Sequence, residues 1–219
     1  MKLKFSNIIF DFDGTLVDSL RDVLDSLKLA FKQCGIRAKN YDTGKIIQLQ
    51  LREAICAVAP GITAEQTGKV IRRFREIYDS TDYPNTRLMP AVAELLPELK
   101  RQRIGMYIVS NKRRIPTIRI LDKFNLRHFF IGIFNPDMYE GEKRMTKSEL
   151  LAHAIEKHSI PKDSAAYIGD SEVDVIAAKE NGVLSIVVAN GYGKAEKINI
   201  KPHHTVPTVS EIILIGKAG

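Results

Sequence analysis

Residues 7–16 read NIIFDFDGTL: an apolar run that ends in two aspartates one residue apart. Ile8, Ile9 and Phe10 have the pattern of a strand covered on both faces, as found in the middle of parallel sheets. Side chains alternate along a strand with a period of two, so Asp11 and Asp13 share one side of it. Two carboxylates that close raise each other's pKa unless a cation or a proton intervenes, so this strand end asks for a partner.

From residue 100 onward, strand and helix patterns alternate. "IGMYIVSN" reads as a strand ending at Ser110, followed by the helix "IPTIRILDKF" with Pro116 near its start. "FFIGIF", "AAYIGD" and "VLSIVVAN" read as further strands. Between them, "TKSELLAHAIEKH" puts Leu150, Leu151, Ala154 and Ile155 on one helical face, and the helix "EVDVIAAKEN" is stopped by Gly182. Strands joined through helices imply a doubly wound α/β fold with a parallel sheet.

Residues 19–80 break the alternation with helical periods alone. Leu20, Val23, Leu24, Leu27, Phe31 and Cys34 form one stripe, ended by Gly35, with Ser19 and Asp22 resembling a capping box. A second stripe runs from Ile46 and Ile47 through Leu51, Ala54 and Ile55 to Val58. A third, Val70, Ile71, Phe74, Ile77 and Tyr78, is capped by Thr63 with Gln66. The expected organisation is a core domain of residues 1–16 and 86–219 with a small all-helical domain, 17–85, inserted after the first strand. Pro97 falls inside the apolar pattern "AVAELLPELK", where it should kink or break a helix.

The chain has 219 residues, enough to bury a sizeable core without staples. Cys34 and Cys56 lack the spacing of a disulfide framework or a zinc site and read as core-side helix residues of a cytoplasmic protein. The apolar run after Lys2 and Lys4 is too short for a signal peptide or a membrane span. A net charge of +7 could suit nucleic acid, membrane or small anions, but the basic residues are scattered and no nucleic-acid-reading motif is present. The short clusters Arg72-Arg73 and Lys143-Arg144 read as solvated faces, whereas Lys112 is exempted because of its place after a strand.

In an open α/β sheet, ligands bind beyond the carboxyl ends of the strands. Collected there are Asp11 and Asp13; Ser110, Asn111 and Lys112; and Gly169, Asp170 and, at a helix start, Asp174, with Lys147 at another helical N-terminal turn. Three carboxylates, a hydroxyl and a lysine fit Mg2+ plus phosphate, because magnesium takes one or two carboxylates together with waters and phosphate oxygens. One aspartate could then attack phosphorus while its neighbour handles the proton, with Ser110 and Lys147 binding the phosphoryl oxygens.

"DFDGTLVDS" (11–19), "VSNK" (109–112), the lysine opening "KSELL" (147–151) and "YIGDSEVDVIAAKENG" (167–182) resemble the four motifs of the haloacid dehalogenase-like superfamily. They look most like its phosphatase branch with a helical cap after the first motif, as in phosphoglycolate phosphatases and β-phosphoglucomutases. The interval from Asp11 to Ser110 leaves room for such a cap, and that from Lys147 to Asp170 for one helix and one strand.

The resemblance implies a Rossmann-like core and roles residue by residue. Asp11 is the expected nucleophile and, with Asp170 and the main-chain carbonyl of Asp13, a magnesium ligand; Asp13 is the general acid and base. Ser110 and the Asn111 backbone hold phosphate, Lys147 neutralises its charge, and Asp174 orients Lys147 or a metal-bound water. Gly14 permits a close turn, and Thr15, which begins the hinge to the cap, joins Lys112 and the cap residue Arg52 among the substrate-binding candidates. Ser148 stands where many members of the branch have proline, and the cap segment "GKIIQLQLREAI", which also offers Lys45 and Gln48, lacks the glycine-containing motif common there.

The expected activity is Mg2+-dependent hydrolysis of a small phosphorylated metabolite by a monomer or homodimer, with phosphomutase as the alternative. A receiver-like phospho-acceptor would place its acidic pair before the phosphorylated aspartate and carry no cap. A P-loop nucleotidase would need a GxxxxGK[ST] motif that this sequence lacks. His203-His204 in "KPHHTVP" reads as a loop, and Gly191 and Gly193 in "NGYGK" as a turn.

Overall fold

A computed structural model of the chain describes residues 5–39, 41, 49–138, 145–193, 195 and 198–215. Lys45, Gln48, Lys143, Arg144 and the Ile46-Ile47 start of the second expected helix lie outside the described residues. The chain forms two compact units, one of residues 1–18 and 88–219, the other of residues 19–87.

The first unit is built on six parallel strands in the order β5-β4-β1-β6-β7-β8: β1 (Asn7–Phe10), β4 (Gly105–Val109), β5 (Gly132–Phe134), β6 (Ala165–Gly169), β7 (Leu184–Val188) and β8 (His204–Val206). Short strand segments β2 (Val17–Asp18) and β3 (Arg87–Leu88) lie where the chain leaves and rejoins this unit. β1 lies centrally, with Asn7 in register with Gly105 on one side and Ala165 on the other. Ile8, Ile9 and Phe10 have no solvent exposure. β4 and β5 extend the sheet to one side of β1, and β6 to β8 extend it to the other. The switch point therefore falls between β1 and β6, the crevice where doubly wound sheets take their ligands.

Helices α4 (Val92–Arg101), α5 (Arg114–Lys123), α6 (Lys147–Lys157) and α7 (Glu172–Glu180) connect the strands. On one face, Ile9, Tyr107, Phe134 and Tyr167 pack in a cluster with Leu150, Leu151 and Ala154 of α6 and Ala177 and Ala178 of α7. α4 runs on through Pro97 rather than breaking. Val92, Leu95, Leu96 and Leu99 are buried along it. Pro97 and Ala93, whose carbonyl loses its partner, are both exposed, so water can serve that carbonyl. Burying each of these aliphatic side chains is worth about 1.5–3 kcal/mol, which together outweighs the roughly 3 kcal/mol cost of an internal proline.

Two strands depart from expectation. β5 holds only residues 132–134, because Arg127–Phe129 turn as a short 3-10 segment. His204–Val206, expected as loop, forms edge strand β8 beside β7, and His203 is drawn to Ser185, whose N–H donates to His203 Nδ1 at 3.1 Å. An exposed polar edge strand has no apolar alternation to betray it.

The second unit contains α1 (Leu20–Cys34), α2 (Leu51–Val58) and α3 (Ala64–Ser80), with α1 packed on α3. α1 ends at Gly35 in the left-handed conformation, φ 69°. The Thr63–Gln66 capping box forms, with both reciprocal bonds in place at 3.2 and 3.1 Å. The Ser19–Asp22 box does not form: Ser19 makes no side-chain cap bond, and buried Asp22 instead accepts five hydrogen bonds from Asn85 and Thr86. Cys34 is half-buried and Cys56 is exposed, so Cys56 is not a core residue.

Candidate active site

β1 leads directly into Asp11, which follows three fully buried residues and is itself 6 % exposed. β6 ends on Gly169, where a Cβ would overlap Asp174. That missing side chain lets Asp174, in the first turn of α7, fold back over the strand end. Asp174 Oδ2 accepts the N–H groups of Asp170 (3.1 Å) and Ser171 (3.0 Å) and the Ser171 hydroxyl (2.6 Å). Its Oδ1 accepts Lys147 Nζ at 2.6 Å.

Lys147 opens α6 behind Thr146, whose hydroxyl caps the Glu149 N–H at 3.2 Å. Ser148, which stands in place of the proline, lies next to Asn181, whose Nδ2 donates to the Ser148 carbonyl and hydroxyl, each at 3.1 Å. From this helix start the buried Lys147 ammonium reaches Asp11 Oδ1 at 2.9 Å. Asp11, Lys147 and Asp174 thus form one buried ion-paired row.

Asp170 completes the group: ligand atoms of Asp11, Asp170 and Asp174 all lie within 4.8 Å of one another. Three carboxylates face one lysine. Burial pushes the Asp11 carboxyl up to about 6, against the pull of Lys147. Burial, then the charges of Asp174 and Asp11, push Asp170 up to about 7. Burial opposes the charge of Lys147, yet Asp11 and Asp174 hold its pKa above the ordinary lysine value. This surplus of buried negative charge fits a hard divalent cation such as Mg2+, which prefers oxygen ligands. Both oxygens of Asp174 are already engaged, so Asp11 and Asp170 are the better-placed donors.

Asp13 takes a different direction from Asp11. Its carboxylate is partly exposed, and Lys112 Nζ stands 3.0 Å from each of its oxygens. Lys112 follows β4 together with Ser110, which is buried and whose Oγ accepts the Lys112 N–H at 3.3 Å, and with the exposed Asn111. Gly14 turns with φ 79°, and a Cβ there would overlap Asp170. Thr15 is fully buried, and its hydroxyl has no hydrogen-bond partner among the described residues. Arg52 lies exposed on α2 in the helical unit. Arg21, near the start of α1 in the same unit, is exposed and paired with Asp25 at 2.9 Å.

The loop after β7, expected as a plain turn, supplies contacts that sequence reasoning missed. The N–H groups of Tyr192 and Gly193 donate to Asp170 Oδ2 at 2.5 and 3.0 Å. Below the site, the buried Tyr167 hydroxyl donates to the Val109 carbonyl at 2.8 Å. Burial, then the charges of Asp174 and Asp11, hold that phenol well above its ordinary value, so it stays protonated. Two glycines just past a strand at the ligand edge of the sheet were the available sign of the first contact.

Residues 8–188 match the family model described as haloacid dehalogenase-like hydrolase. The chain is 27 % identical to the phosphoglycolate phosphatase of Vibrio cholerae, over 95 % of this chain and 96 % of that protein. It is 29 % identical to the tyrosine-protein kinase PtkA of Mycobacterium tuberculosis, over 92 % of this chain and 67 % of that protein. Among solved structures, a predicted phosphatase from Clostridium acetobutylicum superposes with a TM-score of 0.83 at 26 % identity, covering 96 % of this chain and 98 % of the other. The match spans the strand that leads to Asp11, Lys147 and the acidic end of β6 together, and the chain belongs to the haloacid dehalogenase-like hydrolase family.

Proposed function

We propose that this protein is a Mg2+-dependent phosphatase that hydrolyses a small phosphate monoester through an aspartyl-phosphate on Asp11. The observation that carries the reading is the buried row Asp11–Lys147–Asp174 beside Asp170 at the switch point of the sheet. Asp11 attacks phosphorus, the bond to the leaving oxygen breaks, and Asp13 gives that oxygen its proton. Asp13 then takes a proton from a water whose oxygen attacks phosphorus, which frees Asp11 and releases inorganic phosphate. Ser110 and the Asn111 N–H hold the phosphoryl oxygens, and Lys147, kept in place by Asp174, offsets their charge. Asp11, Asp170 and the main-chain carbonyl of Asp13 would hold Mg2+, which when bound neutralises nucleophile and phosphate charge.

The helical unit, residues 19–87, is proposed as the cap that selects the group carrying the phosphate. Similarity to a phosphoglycolate phosphatase over nearly the whole chain makes phosphoglycolate the first substrate to try. The test is phosphate release from phosphoglycolate and a panel of sugar phosphates, with and without Mg2+, with Asp11→Asn and Asp13→Asn as controls. Mg2+-dependent release that both substitutions abolish is expected. No turnover of any phosphate ester by folded wild-type protein would refute the activity, and turnover that survives Asp11→Asn would refute the nucleophile.

A further inference from the structure

Tyr192 touches three parts of the α/β unit at once. Its N–H, with that of Gly193, binds Asp170 Oδ2. Gly191 and Gly193 make this approach possible, since a Cβ on either would overlap Asp170. Its ring lies against Gly14, where an added Cβ would come to 3.1 Å from Tyr192 Cγ. At the far end of the ring, the hydroxyl donates to Asp18 Oδ1 at 2.6 Å, on the short strand that follows the nucleophile turn.

A loop bearing two amide donors is an effective carboxylate holder only if the loop itself is fixed, because a mobile loop loses entropy each time it binds. The Tyr192–Asp18 bond is a side-chain tie between this loop and the stretch that follows Asp11. It joins segments 174 residues apart in sequence. We propose that Tyr192 is a positioning residue. Clasped by Asp18, it holds the 191–193 loop on Asp170, so that the Asp170 and Asp11 carboxylates are already placed for a divalent cation before the cation arrives. The cation itself rests on the function proposed above; the clasp does not.

The experiment uses the full chain with Tyr192→Phe, Asp18→Ala, Asp18→Asn and the double Tyr192→Phe/Asp18→Ala. Amide hydrogen exchange at residues 191–193 is followed in metal-free protein, and binding of Mg2+ alone is measured by titration calorimetry. Tyr192→Phe and Asp18→Ala should each speed exchange of the loop amides by about three- to tenfold, the loss of one charge-assisted hydrogen bond, and weaken Mg2+ by a similar factor. The double variant should be no worse than either single one, because both remove the same bond. Asp18→Asn keeps an acceptor oxygen and should retain most of the protection. Unchanged loop exchange in Tyr192→Phe, or additive effects in the double variant, would overturn the clasp. If wild-type protein binds no Mg2+, the metal reading fails, and exchange in metal-free protein still decides the clasp.

Discussion

Lys112 grips Asp13 with its ammonium 3.0 Å from both carboxylate oxygens, and the same ammonium lies 6.0 Å from the centre of the Phe12 ring. The lysine side chain is 5 % exposed, against 29 % for its partner. Lys112 therefore fixes where Asp13 points, and Asp13, proposed above as the general acid, must lie within hydrogen-bond reach of the leaving oxygen. Lys112→Ala is expected to lower kcat by about tenfold to a hundredfold, a part of the usual general acid–base contribution. Steady-state kinetics on whichever phosphate ester is turned over will check this. An unchanged kcat would mean that Asp13 needs no such hold.

Asp11 is a buried charge among like charges, and its stability should improve where its activity fails. Asp11→Asn removes the proposed nucleophile and should cut turnover by about four orders of magnitude or more, as losses of essential nucleophiles do. The same change relieves repulsion with Asp170 and Asp174 while Lys147 keeps Asp174 as a partner at 2.6 Å. Thermal unfolding of metal-free protein should then show a higher midpoint for Asp11→Asn than for wild type, the familiar opposition of stability and function. A lower midpoint would show that the Asp11–Lys147 attraction outweighs the repulsion.

The raised carboxyls make a pH prediction with a definite sign. Asp11 moves up to about 6 and Asp170 to about 7 from 3.8, so the folded state keeps protons that the unfolded state has released. Their contribution to stability is complete below about pH 4 and is lost as pH rises through the folded values. Metal-free protein should therefore melt at a lower temperature at pH 8 than at pH 5. Asp170→Asn should flatten that difference, and Mg2+ should restore the midpoint at pH 8 by binding the folded carboxylates. A wild-type midpoint that rises over this range, or one that Asp170→Asn leaves unaltered in slope, contradicts the assignment.

What the sequence disclosed followed from local signals strong enough to stand alone. Ile8-Ile9-Phe10 is an unambiguous buried strand, and the alternation after residue 100 forces a parallel sheet whose strand ends must carry Asp11, Ser110 and Asp170. Lys147 was marked by its motif spacing, while its reach to Asp11 and Asp174 appears only in three dimensions. The Lys112–Asp13 pair joins residues 99 apart, and no periodicity reports such a contact. Tyr192 and Gly193 act on Asp170 through backbone amides, which every residue but proline possesses, so their side chains gave little notice. Cys56 was misplaced because a helical stripe fixes a face only when its phase is known, and α2 is a short helix of 8 residues.

Asp22 shows the same limit and carries its own prediction. At the third position after Ser19 it has the spacing of a capping partner, yet long-range donors win it. It accepts the Thr86 N–H and hydroxyl, each at 2.7 Å, and the Asn85 N–H and Nδ2 at 3.1 and 2.9 Å. Thr86 is 1 % exposed, so water cannot replace the lost acceptor for its two donors. Asp22→Ala should destabilise the helical unit by about 2–4 kcal/mol, the cost of stranding buried donors, and Asp22→Asn by less, because one acceptor oxygen remains. Denaturant unfolding combined with hydrogen exchange will localise the loss, which should appear in α1 and at residues 85–86 while the β1 and β6 amides keep their protection. Equal loss in Asp22→Asn and Asp22→Ala would mean that the charge, rather than the stranded donors, sets the cost.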